Sequence, residues 1–215
     1  MRNIVRIMTF AVIVCGFYNT PSASREPDGT LGLIRTPNNG IPAIILSTEP
    51  FTAVCTEKSI LSLAWGEQTF PLEADWTLLP NGLLQARCTA SAPLPAGVYS
   101  LNASTTEHTD CNTRAVYVMD TFPDTYTIAH VTDVHTGTQR HSRKDTEIIA
   151  DVINAVNESD ATIAVITGDL TDNGDAEQFR SFLAVLDAFR MPTFVVSGNH
   201  DRQARNYELF FGLQT

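Results

Sequence analysis

The chain has 215 residues, 43% of them hydrophobic, and 24 acidic against 14 basic side chains give it a formal net charge of −10. That length accommodates one or two domains with packed cores. The acidic balance excludes a nucleic-acid backbone as the main partner, because proteins that bind one carry basic stripes; it does not exclude phosphate held through a metal, whose own charge dominates locally.

In chain order, the first segment reads as a targeting signal. Residues 1–6 supply a basic start with Arg2 and Arg6, residues 7–17 an apolar stretch, and Ser22-Ala23-Ser24 small residues at −3 and −1. Cleavage is expected after Ser24, making 1–24 a signal peptide. Eleven apolar residues fall well short of the roughly 20 needed to cross a bilayer, so no stable membrane span is expected. The mature protein is then secreted, periplasmic or extracellular. Export removes Cys15 and leaves Cys55, Cys88 and Cys111 for an oxidising compartment, where one pair is expected to bridge, with the pairing open. The alternative is three small buried hydrophobes.

Residues 25–121 show seven short apolar runs, at 31–34, 41–46, 51–55, 60–65, 82–87, 97–101 and 115–118. Turn formers separate them, among them Pro37-Asn38-Asn39-Gly40 and Pro80-Asn81-Gly82. This spacing predicts an all-β, immunoglobulin-like sandwich. No cluster of acids, histidines or cysteines in it suggests chemistry, so it reads as a spacer, lid or binding module. Phe122-Pro123-Asp124-Thr125 reads as the junction.

From Tyr126 the texture changes to α/β. Runs at 126–131, 161–166 and 192–196 are short and rich in β-branched residues, as strands buried on both faces are. Between them lie two helical patterns. The first, 143–157, places Ile148, Ile149, Val152, Ile153 and Val156 on one stripe behind Ser142 as N-cap; the second, 176–189, follows Asp175 with Gln178 as a capping box. The order β-α-β-α-β with right-handed crossovers brings all three strand C-ends to one crevice.

Each of those strands ends in a polar station: Asp133-Val134-His135, Gly168-Asp169 and Gly198-Asn199-His200-Asp201. Carboxylates, carboxamide and imidazole without a thiolate or a strand-end serine suit Mn, Fe, Zn or Mg rather than a nucleophile triad. Asp169, on a tight Gly-Asp turn in the middle, has two oxygens to offer two ions. A dinuclear site of that kind binds both the attacking and the leaving oxygen of a phosphate ester.

Asp133-x-His135, Gly168-Asp169-x-x-Asp172 and Gly198-Asn199-His200-Asp201, in this order and at these spacings, resemble the calcineurin-like metallophosphoesterases. The resemblance runs from about Tyr126 to the C-terminus and implies the first β-α-β-α-β half of that family's α/β sandwich, with 126–215 as its N-terminal part. It implies two divalent or trivalent ions (Mn, Fe or Zn) held by Asp133, His135, Asp169 and Asn199. Direct attack on phosphorus by a metal-bound hydroxide would then cleave a phosphate ester of a small molecule or lipid. Asp133 and His135 are expected to share one face of an extended segment. His200 is expected to face substrate as a catalytic group, with Asp201 orienting it through a hydrogen bond. Asp172 stands where the purple acid phosphatases carry a tyrosine ligand, so no tyrosinate-iron colour is expected. The family's further His and Gly-His-x-His would follow Thr215, which makes the chain as given a weak enzyme with exposed apolar surface on its third strand and on Phe210-Phe211. The competing reading is a non-catalytic fragment or binding protein. Of the other histidines, His130 is expected in the core, His141 exposed near the crevice, and His108 in the β domain.

Overall fold

A computed structural model describes residues 29–140 and 142–212. The expected signal segment and His141 lie outside the described residues. Eight strands form the N-terminal part: β1 (Ile34–Thr36), β2 (Ala43–Leu46), β3 (Phe51–Cys55), β4 (Ile60–Trp65), β5 (Gln68–Leu78), β6 (Leu84–Ala90), β7 (Gly97–Ser104) and β8 (Thr109–Met119). They join in one hydrogen-bonded sheet ordered β1-β3-β6-β5-β4-β7-β8-β2.

Strand β5 makes it a single sheet. Its first residues pair with β4, up to Pro71 opposite Ser62, and from Leu72 onward it pairs with β6. The two halves of the sheet thereby bury a shared core, with Phe51, Ala53, Ala86 and Cys88 from one side and Leu61, Leu63, Tyr99, Leu101 and Val116 from the other. Each such large side chain contributes about 1.5–3 kcal/mol on full burial. The seven expected strands are therefore eight. Strand β5 is absent from a reading by apolar runs because its half-buried Phe70, Leu72, Ala74 and Trp76 alternate strictly with exposed Thr69, Pro71, Glu73, Asp75 and Thr77.

The cysteines correct the disulfide expectation: Cys55, Cys88 and Cys111 are free. Cys55 pairs in register with Leu84 and Cys88 with Phe51. The two core thiols are thus offset by four residues, about 13 Å along the strand, whereas a bridge needs Cα atoms within about 7 Å. Burial pushes both thiols up to about 12, so they sit as neutral hydrophobes.

The architecture changes between Met119 and Ile128. Strands β9 (Ile128–Thr132), β10 (Ile163–Thr167) and β11 (Thr193–Val196) alternate with helices α1 (Asp145–Glu158) and α2 (Ala176–Asp187), and α3 (Tyr207–Phe211) closes the described chain. Strand β10 lies in the centre, parallel to both neighbours. Ile149 and Ile153 of α1 and Phe179, Phe182 and Leu186 of α2 enter the core with Ala164 and Ile166 of β10. That is the expected β-α-β-α-β order, with helix ends that differ. The residue before α1 is Lys144 rather than Ser142, and Asp175 makes no side-chain cap before α2.

Burial on both strand faces holds for β10 but fails for β9. At the edge of a three-stranded sheet its residues alternate exposed and half-buried, and Ile128 is 57% exposed. His130 is accordingly not a core residue. It is exposed on that open face, its Nε2 2.7 Å from Thr167 Oγ1.

The free edge of β11 and the apolar α3 were expected to be open; Val196 and Leu209 are indeed exposed, but the rest of both elements is largely covered. The arm preceding β2 lies against them. Val195 N–H donates to Gly40 O at 2.9 Å and Leu31 N–H to Leu209 O at 2.8 Å. Arg35 and Asn38 side chains donate to Glu208 O and Phe211 O. Phe210 and Phe211 are fully buried as a result, because the N-terminal arm supplies the pairing that the strand's own region lacks. Among the described residues no helix is long and apolar enough to cross a membrane.

Candidate metal centre

The register of the parallel sheet sets the site level. Thr132, Thr167 and Val196 sit opposite one another on β9, β10 and β11. The residues that leave the sheet next, Asp133, Gly168 and Ser197, therefore emerge side by side at the strand C-ends.

Convergence there uses strained backbone. Asp133, His135 and Asp169 all have positive φ, at 54°, 47° and 44°, a region that costs a non-glycine residue about 1–3 kcal/mol and clusters at functional sites. Asp133 and His135 thus do not share the face of an extended segment, as alternation predicts; left-handed turns bring them together. Contacts between the first two loops hold these turns in place. His135 N–H donates to Asp169 O at 2.9 Å, Thr136 N–H to Leu170 O at 3.0 Å, and Asp172 N–H returns to Thr136 O at 3.1 Å.

The side chains meet around His135. Its Nε2 lies 3.8 Å from Asp133 Oδ1 and 3.7 Å from Asp169 Oδ2, and its Nδ1 lies 3.3 Å from Asp172 Oδ1. One ligand atom each from Asp133, His135 and Asp169 falls within 4.8 Å of the others, and the same is true of His135, Asp172 and His200. The imidazoles of His135 and His200 meet edge to face, centroids 4.8 Å apart. His135 Nδ1 and Asp172 Oδ1 are buried without a hydrogen-bond partner. Buried polar atoms are nearly always paired, so this donor set fits a hard or borderline cation.

His200 is fixed by two contacts. Its N–H donates to Asp169 Oδ1 at 2.9 Å, and its Nδ1 rests against the main-chain oxygen of Asp172. A carbonyl only accepts, so Nδ1 carries a proton and Nε2 is the ring nitrogen left to face the site. Asn199 sits on the same turn, between Gly198 and His200, which both touch Asp169. Gly198 is the point of closest approach: a Cβ there would come within 2.1 Å of Asp169 Oδ1 and 2.2 Å of its backbone N. Gly168 is needed for a different reason, its φ of +72°, since a Cβ there would meet only Gly198 Cα at an ordinary 3.7 Å.

Asp201 requires a correction. Its carboxylate is not bonded to the His200 ring. Fully buried, it accepts from Leu170 N and Gly198 N through Oδ2, at 3.0 and 2.8 Å, and from Thr171 N and Thr171 Oγ1 through Oδ1, at 2.9 and 2.7 Å. It is a strut that ties the β10 loop to the β11 loop. Gln178 plays a related part. Instead of closing a capping box, its Oε1 accepts from Asp172 N and Asn173 N, both at 3.0 Å. Sequence reasoning passed over Asp172 as a member of the ligand cluster, although its place in Gly168-Asp169-x-x-Asp172 was visible.

Residues 126–214 match the family model described as calcineurin-like phosphoesterase. The C-terminal part is thus similar to the calcineurin-like phosphoesterases, and a β-rich part precedes it. Among solved structures, the chain is similar to the purple acid phosphatase PPD1 from yellow lupin (Lupinus luteus) seeds. The two are 12% identical with a TM-score of 0.42, over 86% of this chain and 41% of that one. It is also similar to the amylomaltase from Corynebacterium glutamicum, at 10% identity and TM-score 0.28 over 58% of this chain and 20% of that one. A third similarity is to the titin M10–obscurin-like 1 Ig complex, at 20% identity and TM-score 0.24 over 40% and 89%. The chain spans about two fifths of the lupin phosphatase and one fifth of the amylomaltase. No curated protein matches it.

Proposed function

We propose that this chain is an exported, metal-dependent phosphoesterase that hydrolyses phosphomonoesters or phosphodiesters of a small molecule or lipid. The observation that carries the reading is the meeting of Asp133, His135 and Asp169 ligand atoms within 4.8 Å on three residues of positive φ. Strain of this kind persists only where the surrounding structure enforces it, and here it gathers carboxylates that would otherwise repel one another.

Asp133, His135 and Asp169 would hold one ion, and Asp169 with Asn199 a second, chosen from Mn, Fe and Zn. Bound there, such ions supply Lewis acidity toward phosphoryl oxygens and lower the pKa of water. The chain's own groups do the rest. Asp169 offers two oxygens at the centre. His200, its Nδ1–H held by the main-chain oxygen of Asp172, presents Nε2 to the site, and in its imidazolium form would give the Nε2 proton to the departing oxygen or stabilise charge on the phosphoryl group. Asp201 keeps the loops of β10 and β11 at working distance. Residues 25–121 form the separate β domain of this reading, as a spacer or lid, and the first 24 residues direct export.

The test is metal content of the purified full chain by elemental analysis, beside hydrolysis of aryl phosphomonoesters and phosphodiesters. Stoichiometric Mn, Fe or Zn with turnover abolished by chelation supports the proposal. A chain that takes up no metal and cleaves neither ester is instead the non-catalytic binding protein. Export is checked by the N-terminus of the mature protein, expected at Arg25.

A further inference from the structure

The site gathers Asp133, Asp169 and Asp172 in one place, and a phosphate ester brings more negative charge to it. Arg140 is the cation that reaches this cluster among the described residues. Its Nη2 lies 3.3 Å from Asp172 Oδ1, with the arginine side chain 68% exposed and the aspartate 22%. The pair is an ion contact and not a hydrogen bond, since Asp172 Oδ1 has no hydrogen-bond partner. The guanidinium end is in solvent and makes this single ion contact with Asp172, so it is free to exchange partners. The other arginine of the same loop is already engaged: Arg143 is bound to Asp151 at 2.8 Å and to Glu147 at 3.7 Å. Arg140 also lines a cleft of about 270 Å³ together with Asp133, His135, Thr138, Asp145 and Ile148. The cleft therefore opens directly beside the ligand cluster, with the guanidinium as a movable positive wall.

We propose that Arg140 is the substrate-anchoring residue of this site, exchanging Asp172 for an oxygen of the phosphoryl group and favouring phosphomonoesters over diesters. The proposal rests on the phosphoesterase reading above. Guanidinium recognises phosphate through paired, charge-assisted hydrogen bonds. A monoester has three unesterified oxygens and a diester two. If two are taken at the metal positions, only the monoester keeps one for Arg140. The monoester's second negative charge strengthens the same preference.

The experiment uses the full chain loaded with Mn(II) and titrates inorganic phosphate calorimetrically. Arg140→Gln is expected to weaken phosphate binding about 10- to 100-fold, the range for losing a hydrogen bond to a charged group, with Mn content unchanged. Arg140→Lys recovers part of the affinity, and Arg143→Gln leaves it as in the wild type. With aryl esters, the Arg140→Gln change falls on KM, and more on the monoester than on the diester. Equal phosphate affinity in Arg140→Gln and wild type overturns the anchoring role while leaving the phosphoesterase reading intact. Loss of Mn in Arg140→Gln also overturns it, since Arg140 would then support the ligands rather than the substrate. A Mn-loaded wild type that binds no phosphate overturns both readings.

Discussion

Replacing Asp201 by asparagine tests the strut. The wild-type carboxylate is fully buried and accepts from three backbone N–H groups and one hydroxyl, at 2.7 to 3.0 Å. An amide of the same shape must turn its NH2 toward one of the two oxygen positions. At the Oδ2 position it would confront Leu170 N–H and Gly198 N–H. At the Oδ1 position it confronts Thr171 N–H, while the Thr171 hydroxyl can rotate to accept. The second choice leaves one buried donor unmet, at about 1–3 kcal/mol, and removes charge assistance from the remaining bonds. Asp201→Asn is therefore expected to lower stability by about 2–4 kcal/mol, and Tm by roughly 5–15 °C for a chain of this size. Asp201→Ala abolishes all four bonds and approaches the whole stability of a typical domain, about 5–15 kcal/mol. Thermal melting followed by near-UV circular dichroism measures the loss, and hydrogen exchange at the amides of 170, 171 and 198 locates it. If Asp201→Asn melts with the wild type and keeps those amides protected while turnover falls, Asp201 acts through His200 and the strut is wrong.

The other predictions concern the ligands, the turn and the thiols. Asp169→Asn is expected to cut hydrolysis by several orders of magnitude and lower metal content while circular dichroism stays near native; an active, fully metallated variant would refute the central assignment. His200→Ala is expected to slow turnover about 10²–10⁴-fold with metal retained, whereas loss of a metal equivalent would make His200 a ligand. Gly198→Ala places a methyl 2.1 Å from Asp169 Oδ1, so it is expected to displace Asp169 and weaken metal binding, as read by calorimetry. Burial holds the Cys55 and Cys88 thiols at about 12, against an ordinary 9.0. The unfolded chain loses these protons first, so their contribution to stability is full below about pH 9 and declines between pH 9 and 12. Denaturant melts across that window should show the decline, and Cys55→Ala with Cys88→Ala should remove it.

The sequence by itself determined the parts that depend on local pattern and on topology. Three β-branched runs separated by two amphipathic stripes specify a parallel β-α-β-α-β unit. A parallel sheet delivers its strand C-ends to one side whatever the loops do, and so Asp133, His135 and Asp169 were legible as a cluster before any coordinate was known. Asn199 and His200 follow by the same reasoning, being three and four residues beyond the end of the third run.

Tertiary structure alone decided what depends on partners distant in the chain. Asp201 reads in sequence as the neighbour of His200, yet three of its four bonds go to residues some thirty positions earlier, because buried backbone donors following the Gly168-Asp169 turn need an acceptor more than an imidazole does. His130 looks like core text, but an edge strand with one open face exposes every second residue. Export to an oxidising compartment suggests a bridge, and only the register of β3 against β6 shows Cys55 and Cys88 four residues apart. Phe210 and Phe211 read as exposed apolar surface, until Asn38 reaches across 173 positions to the main chain of Phe211. No local period encodes a contact of that separation; the folded backbone's demand for a partner on every buried amide and carbonyl selects it.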